Sequence, residues 1–216
     1  VVQIDLDIGK ADAGWLSSIF SIMGIILALP AAGMMRKMGV KRTGLLAIGA
    51  TIVGTLVGIF ASGLPLLMIS RVIEGFGVGL ISVLAPAVIT MWFASEKRGL
   101  PMGIWGAWQM VAQSGTFLFA GSILDLFGGW IGMWWVGLIL LVVSIALYAW
   151  KVTVPPAEHN HADLEDSSVN MLSVLKYRSV WMIALVALFF TIACFGWVTW
   201  AATFWSEVGG LDFAFA

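Results

Sequence analysis

The chain has 216 residues, of which 61% are hydrophobic and only 11% are charged, and its mean hydropathy is +1.01. This balance excludes an ordinary water-soluble domain, and a formal net charge of −1 gives no support to a nucleic-acid partner. The single cysteine, Cys194, excludes an internal disulfide, and the sequence has no spaced Cys/His set for a structural metal.

Six apolar segments follow one another along the chain. Each has about twenty residues or more, which is enough to cross a hydrocarbon core of roughly 30 Å as a helix. They cover residues 14–35, 43–61, 65–92, 100–121, 130–150 and 180–205. The sequence therefore predicts an all-α, polytopic membrane protein with about six transmembrane helices.

The connections between these segments alternate in charge. One set, within residues 36–42, 95–99 and 151–179, contains nine of the basic residues: Arg36, Lys37, Lys41, Arg42, Lys97, Arg98, Lys151, Lys176 and Arg178. The opposite set has Lys10 as its only basic residue and is otherwise acidic: Asp5, Asp7, Asp12, Asp125, Glu207 and Asp212. By the positive-inside rule, the first set is cytoplasmic in a multi-pass protein of the cell membrane.

The segment 151–179 is the one break in composition. Its proline pair and its acidic cluster are typical of a solvated linker. Five spans precede it and one follows. His159 and His161 lie in this linker, where a solvated pair is the expected state, so we assign it no metal site.

Two opposite charges lie inside the third span, in the stretch "ISRVIEGFGVGL". An arginine at a helix centre costs about 3 kcal/mol on insertion scales, so Arg71 is expected to face a bundle interior or an aqueous cavity. Glu74 follows at i+3, on the same helical face. The pair is expected either to line a substrate or proton pathway or to lock helices together by a local ion pair.

The fourth span carries a polar face. Trp105, Gln109 and Gln113 are spaced by four residues, so they share one side of a helix and are candidates for lining a cavity. Interhelical hydrogen bonding is the alternative explanation. No nucleophile with a base and no paired acids occur in the spans, which argues against an enzyme. No cofactor is expected.

Glycine pairs recur at a spacing of four residues, which is typical of close helix packing in lipid. The pairs are Gly54 and Gly58, Gly75 and Gly79, Gly99 and Gly103, and Gly128 and Gly132. The run "GFGVG" is not a dinucleotide-binding fingerprint, because its glycines lack the required spacing and no strand precedes them.

The order of these motifs resembles the major facilitator superfamily of secondary transporters. The turn "AGMMRKMGVKRTG" is similar to the family's cytoplasmic gating turn, although Arg36 stands where the family has an acid. Its candidate residues are Gly33, Arg36, Lys37, Gly39, Lys41 and Arg42. The stretch with Arg71 and Glu74 resembles the motif on the family's fourth helix, and "MWFASEKRGLPMGIW" resembles the loop that follows it.

The resemblance implies that the six spans correspond to helices two to seven of a twelve-helix bundle. Residues 1–150 would then be most of the N-terminal half, 151–179 the cytoplasmic linker, and 180–216 the truncated start of the C-terminal half.

As for function, the resemblance implies a secondary transporter that moves a small solute by alternating access. The loop in "MWFASEKRGLPMGIW" and the segment at residues 30–33 resemble those of family members that carry small anions. The resemblance therefore favours an organic or inorganic anion as the solute. Arg71 would hold the solute. Glu74 would pair with Arg71 or exchange a coupling proton. The alternative is a membrane receptor or assembly subunit without transport.

Overall fold

The computed structural model describes residues 9–152 and 176–210, and every regular element in these ranges is a helix. The elements are α1 (Lys10–Ile59), α2 (Leu64–Trp92), a short 3-10 helix (Ser95–Lys97), α3 (Gly99–Phe127), α4 (Ile131–Lys151) and α5 (Arg178–Glu207). Most of the predicted linker and the acidic residues Asp5, Asp7 and Asp212 lie outside the described residues.

Five helical segments of the described chain are long and apolar enough to cross a membrane, judged by length and composition. They are Pro30–Ile59, Leu64–Trp92, Gly99–Phe127, Ile131–Lys151 and Arg178–Val198. A shorter apolar helix, Ala11–Leu27, precedes them and corresponds to the start of the first predicted span. The expected all-α architecture is confirmed.

Helix α1 is broken at Gly39, between the first two predicted spans. The backbone of Gly39 has φ 78° and ψ 164°, which is not helical, whereas helical geometry continues on both sides. Only glycine adopts this region readily, because a Cβ would collide with the backbone there. The Thr43 hydroxyl donates a hydrogen bond of 2.8 Å to the Gly39 carbonyl, which ties the turn to the helix that follows.

Helix α2 packs against both segments of α1 through its glycines. A Cβ on Gly75 would lie 2.7 Å from the carbonyl oxygen of Phe20, and one on Gly79 would lie 2.9 Å from the Cα of Gly24. On Gly77, a Cβ would instead collide with Thr51, in the second segment of α1. The missing side chains therefore allow backbone contact on two sides of α2, as predicted for small residues in lipid.

Different residues define the two ends of α2. Pro65 lies in the first turn, where its missing N–H leaves no helical bond unmade. At the other end, Arg98 folds back and donates hydrogen bonds to the carbonyls of Thr90 (2.8 Å) and Phe93 (2.9 Å). These bonds satisfy carbonyls that the end of the helix leaves unpaired.

Helix α4 lies against α1 at two places. Trp134 covers Gly58, where any side chain would collide with its ring. Tyr148 covers Gly44 and donates a hydrogen bond of 3.1 Å to the carbonyl of Val40. The second segment of α1 is therefore packed between α2 and α4.

Helix α3 makes few contacts, and none of its residues is buried. A Cβ on Gly99 or Gly103 would meet no atom within 4 Å, so the described part of the chain supplies no packing partner for this glycine pair. Spacing alone cannot tell a packed glycine face from an exposed one, because it does not say which neighbour the face meets.

The contacts divide the chain into two compact units, Val1–Asn160 and His161–Ala216. The described element of the second unit is α5, which carries an aromatic cluster near its end. The ring of Phe204 lies 6.2 Å from that of Trp197 and 5.7 Å from that of Trp205, centroid to centroid.

Candidate functional site

The two charges of α2 form an ion pair. Nη1 of Arg71 lies 2.8 Å from Oε2 of Glu74, the contact that the i+3 spacing predicts. The Glu74 side chain is only 8% exposed, whereas that of Arg71 is 26% exposed. The carboxylate is therefore enclosed by the described chain, whereas the arginine side chain is only partly covered by it.

The buried carboxylate has a second partner on α1. The hydroxyl of Thr55 donates a hydrogen bond of 2.8 Å to Oε1 of Glu74, so each carboxylate oxygen has one partner. One turn away, the buried hydroxyl of Ser70 donates to the carbonyl of Gly54 at 2.8 Å. A Cβ on Gly54 would lie 2.8 Å from the backbone nitrogen of Glu74, so glycine is needed for this approach.

The guanidinium of Arg71 lies on the face of an aromatic ring from α4. Its central carbon is 4.3 Å from the centroid of Trp134, well within the range of a cation–π interaction. Trp130 packs edge-on against Trp134 at 6.1 Å and is itself buried. The position of the arginine is therefore fixed by α2 and α4 together.

These contacts make one continuous network across three helices, which we call the α2 charge network: Thr55, Arg71, Glu74 and Trp134. Paired charges at this depth are tolerated because each is neutralised and hydrogen-bonded. A guanidinium has five N–H donors, more than Glu74 occupies. Donors of the guanidinium therefore remain for a second acceptor.

The polar face of α3 is present, but among the described residues its glutamines are not hydrogen-bonded to this network. Gln109 and Gln113 are half-buried, while the neighbouring Met110 and Val111 are exposed. Trp105 stacks on Trp108 with their ring centroids 5.5 Å apart. Within residues 9–152, no hydrogen bond joins either glutamine to Arg71 or Glu74. The two predicted groups therefore make no direct hydrogen bond in the described chain, and a shared pathway stays a prediction.

The predicted gating turn surrounds the break in α1. Gly39 supplies the backbone conformation, Arg36, Lys37 and Arg42 are exposed, and Lys41 and Gly33 are half-buried. The Tyr148 bond to Val40 attaches this turn to α4.

The second basic loop contains an anionic side chain. The backbone amide of Glu96 and the hydroxyl of Ser95 hold the pKa of Glu96 below its ordinary value, because both donate to the ionised carboxylate. This loop therefore keeps one negative charge beside Lys97 and Arg98 at neutral pH.

Sequence reasoning did not identify four residues that hold the site: Thr55, Ser70, Trp134 and Tyr148. Thr55 carries a weak sequence signal for a helix contact, because it follows Gly54 of the pair Gly54 and Gly58. Trp134 and Tyr148 carry none, because many aromatic residues of this chain face outward. In the described ranges, no three His, Cys, Asp or Glu side chains gather in a metal-binding arrangement.

The model of the Major Facilitator Superfamily matches residues 1–216. Among curated proteins, the MFS-type transporter Rv1250 of Mycobacterium tuberculosis is 28% identical over 160 residues, covering 74% of this chain and 27% of the relative. The multidrug efflux pump SdrM of Staphylococcus aureus is 33% identical over 107 residues, covering 47% and 24% respectively.

A third relative is the triacylglyceride transporter of Mycobacteroides abscessus. It is 26% identical over 140 residues, which cover 64% of this chain and 27% of the relative. The chain thus spans about a quarter of the length of these three relatives. No solved structure matches it.

The helical architecture, the order of the motifs and the match over residues 1–216 agree. The chain belongs to the Major Facilitator Superfamily, the transporter family that its motifs resemble.

Proposed function

We propose that the full-length protein is a secondary transporter, not an enzyme or a receptor, that moves a small solute by alternating access. The observation that carries the proposal is the α2 charge network. It places a neutralised and partly exposed arginine inside a membrane-spanning helix and connects it to two neighbouring helices. Ionisable groups at such depth are costly and are mostly found along substrate or ion pathways.

For the solute, we propose a small organic or inorganic anion bound at Arg71. Because Glu74 already pairs with the guanidinium, an anion would have to share or replace that partner. Protonation of Glu74 would release the arginine for the solute, and this gives a physical route for proton coupling. Trp105, Gln109 and Gln113 are proposed to line the same pathway from α3.

A second candidate is the export of apolar or amphiphilic compounds. It is favoured by the names of two relatives, a multidrug efflux pump and a triacylglyceride transporter. In this case the α2 charge network would serve proton coupling, and the solute would bind elsewhere.

For localisation, we propose the cytoplasmic membrane. The turn at 36–42, the loop at 95–99 and the linker at 151–179 would face the cytoplasm, because they contain most of the basic residues.

The test is transport by the full-length protein in proteoliposomes, with and without an imposed pH gradient. We expect Arg71→Ala and Glu74→Gln each to lower gradient-driven uptake at least about tenfold, a change equivalent to about 1.4 kcal/mol. Lys97→Ala is the matched control, because Lys97 is an exposed cation outside the spans. Full uptake by Arg71→Ala would exclude substrate or coupling roles for this arginine.

A panel of test solutes in the same proteoliposomes, containing small anions and apolar compounds, separates the two candidates. If small anions inhibit uptake by competition, and this inhibition weakens in Arg71→Ala, the anion carrier is supported. Transport of apolar compounds alone, with proton coupling lost in Glu74→Gln, supports the exporter. Solute binding without any flux would contradict both and favour a receptor.

A further inference from the structure

An apolar groove runs between α1, α2 and α4, away from the α2 charge network. Its larger part is a cavity of about 300 Å³. The lining residues are Gly44, Ile48, Ile81, Leu84, Ala85, Val88, Ile89 and Tyr148. The Tyr148 hydroxyl is already engaged with the Val40 carbonyl, so the cavity has almost no polar surface. A cavity with this lining favours the binding of hydrocarbon groups over polar groups.

A second cavity of about 250 Å³ continues from the first and shares Val88 and Ile89 with it. This part is lined further by Trp92, Phe93, Lys151 and Val152. The groove thus passes from a wholly apolar end to an end with two aromatic residues and one lysine. This sequence of surfaces follows the profile of a bilayer from its acyl region to its headgroups.

The cation at the polar end is positioned by its neighbours. Nζ of Lys151 lies 4.0 Å from the ring centroid of Trp150, at the end of α4. Arg42 and Lys41 lie two and three residues, respectively, before Gly44, which lines the other cavity. An amphiphile with its tail in the apolar cavity would therefore meet the positive charge of Lys151 at its head.

From this juxtaposition we propose that the groove is a binding site for an anionic phospholipid, with one acyl chain along Ile81, Ala85 and Val88 and the headgroup at Lys151. The occupant follows from charge complementarity at one end and from hydrocarbon lining along the rest. On the proposed orientation, this end faces the cytoplasmic leaflet, whose anionic lipids supply the ligand.

The proposal is tested by native mass spectrometry of the full-length protein. The probes are phosphatidylglycerol and phosphatidylcholine with identical acyl chains, added at equal concentrations. We expect preferential retention of phosphatidylglycerol. Ala85→Phe and Val88→Phe, which fill the groove at two points, should abolish this retention. Lys151→Gln should weaken it about fivefold, the equivalent of one surface cation near an anionic membrane.

The controls separate the groove from general lipid contact. Ala146→Phe adds the same ring at an exposed position of α4, and Lys97→Gln removes an exposed cation from a loop. Both should retain phosphatidylglycerol as the parent protein does. Thermal unfolding in phosphatidylcholine reports whether each variant is folded.

Three outcomes would overturn the proposal. They are unchanged retention in folded Ala85→Phe and Val88→Phe, equal retention of both lipids by the parent protein, and equal loss in Ala146→Phe. The proposal also fails if the chain after Val152, and not added lipid, fills the groove, because another part of the protein is then the occupant.

Discussion

At the scale of single residues, the best-defined feature is the carboxylate of Glu74. A buried charge is stable only when its oxygens are paired, and here one oxygen contacts Arg71 and the other accepts from Thr55, each at 2.8 Å. The i+3 spacing predicted the first contact. Thr55 is 19 residues away in sequence, so the second contact depends on how α1 packs against α2.

Thr55→Val should destabilise the full-length protein by about 1.5–3 kcal/mol, because it removes a hydrogen bond to a charged, buried group. Thr116→Val is the matched control, since the Thr116 hydroxyl bonds only to the carbonyl of Ala112 in its own helix. Thermal unfolding in detergent measures both. Equal melting temperatures for the two variants would mean that Thr55 does not stabilise the carboxylate.

At the scale of helices, the break in α1 decides where α2 can lie. Both segments of α1 contact α2, and this is possible only because the chain reverses at Gly39. The sequence predicted a turn between two spans here. It did not predict that the helix resumes on both sides of one glycine, since that depends on a backbone angle.

Gly39→Ala should cost about 1–3 kcal/mol, because φ 78° with ψ 164° is accessible essentially to glycine alone. Gly33→Ala, in the helical part of the same motif, should be neutral or slightly stabilising, since a Cβ there meets no atom within 4 Å. Folded yield and melting temperature of the two variants give the comparison. A stable Gly39→Ala protein would indicate that the turn adopts another conformation in the membrane.

At the scale of the whole molecule, the chain matches only part of each relative to which it is similar. Compared with its relatives it covers about a quarter of the length, and α3 has no buried residue in the described structure. We therefore assign transport, coupling and orientation to the full-length protein.

Single cysteines test the proposed orientation in the full-length protein, in a background without other cysteines. Lys97→Cys should react with a membrane-impermeant maleimide only in inside-out vesicles, and Ser62→Cys only in intact cells. Both positions are exposed in loops at opposite ends of α2. The reverse labelling pattern would invert the assignment of every loop.

The sequence by itself determined the helical class, the membrane setting and the ion pair, it predicted a turn near Gly39, and its motifs indicated the family. These properties depend on composition, on the distribution of charge and on residues a few positions apart, all of which can be read along the chain. Only the tertiary structure showed that Thr55 and Trp134 complete the charge network.

The physical reason is that these contacts join residues distant in sequence through a packing arrangement that local patterns do not encode. Gly54 and Gly99 have equivalent neighbours at a spacing of four, but only Gly54 touches another helix. The apolar groove beside Tyr148 likewise exists only where three helices meet. Which glycine faces pack, and which apolar faces leave a cavity, is decided by the assembled bundle.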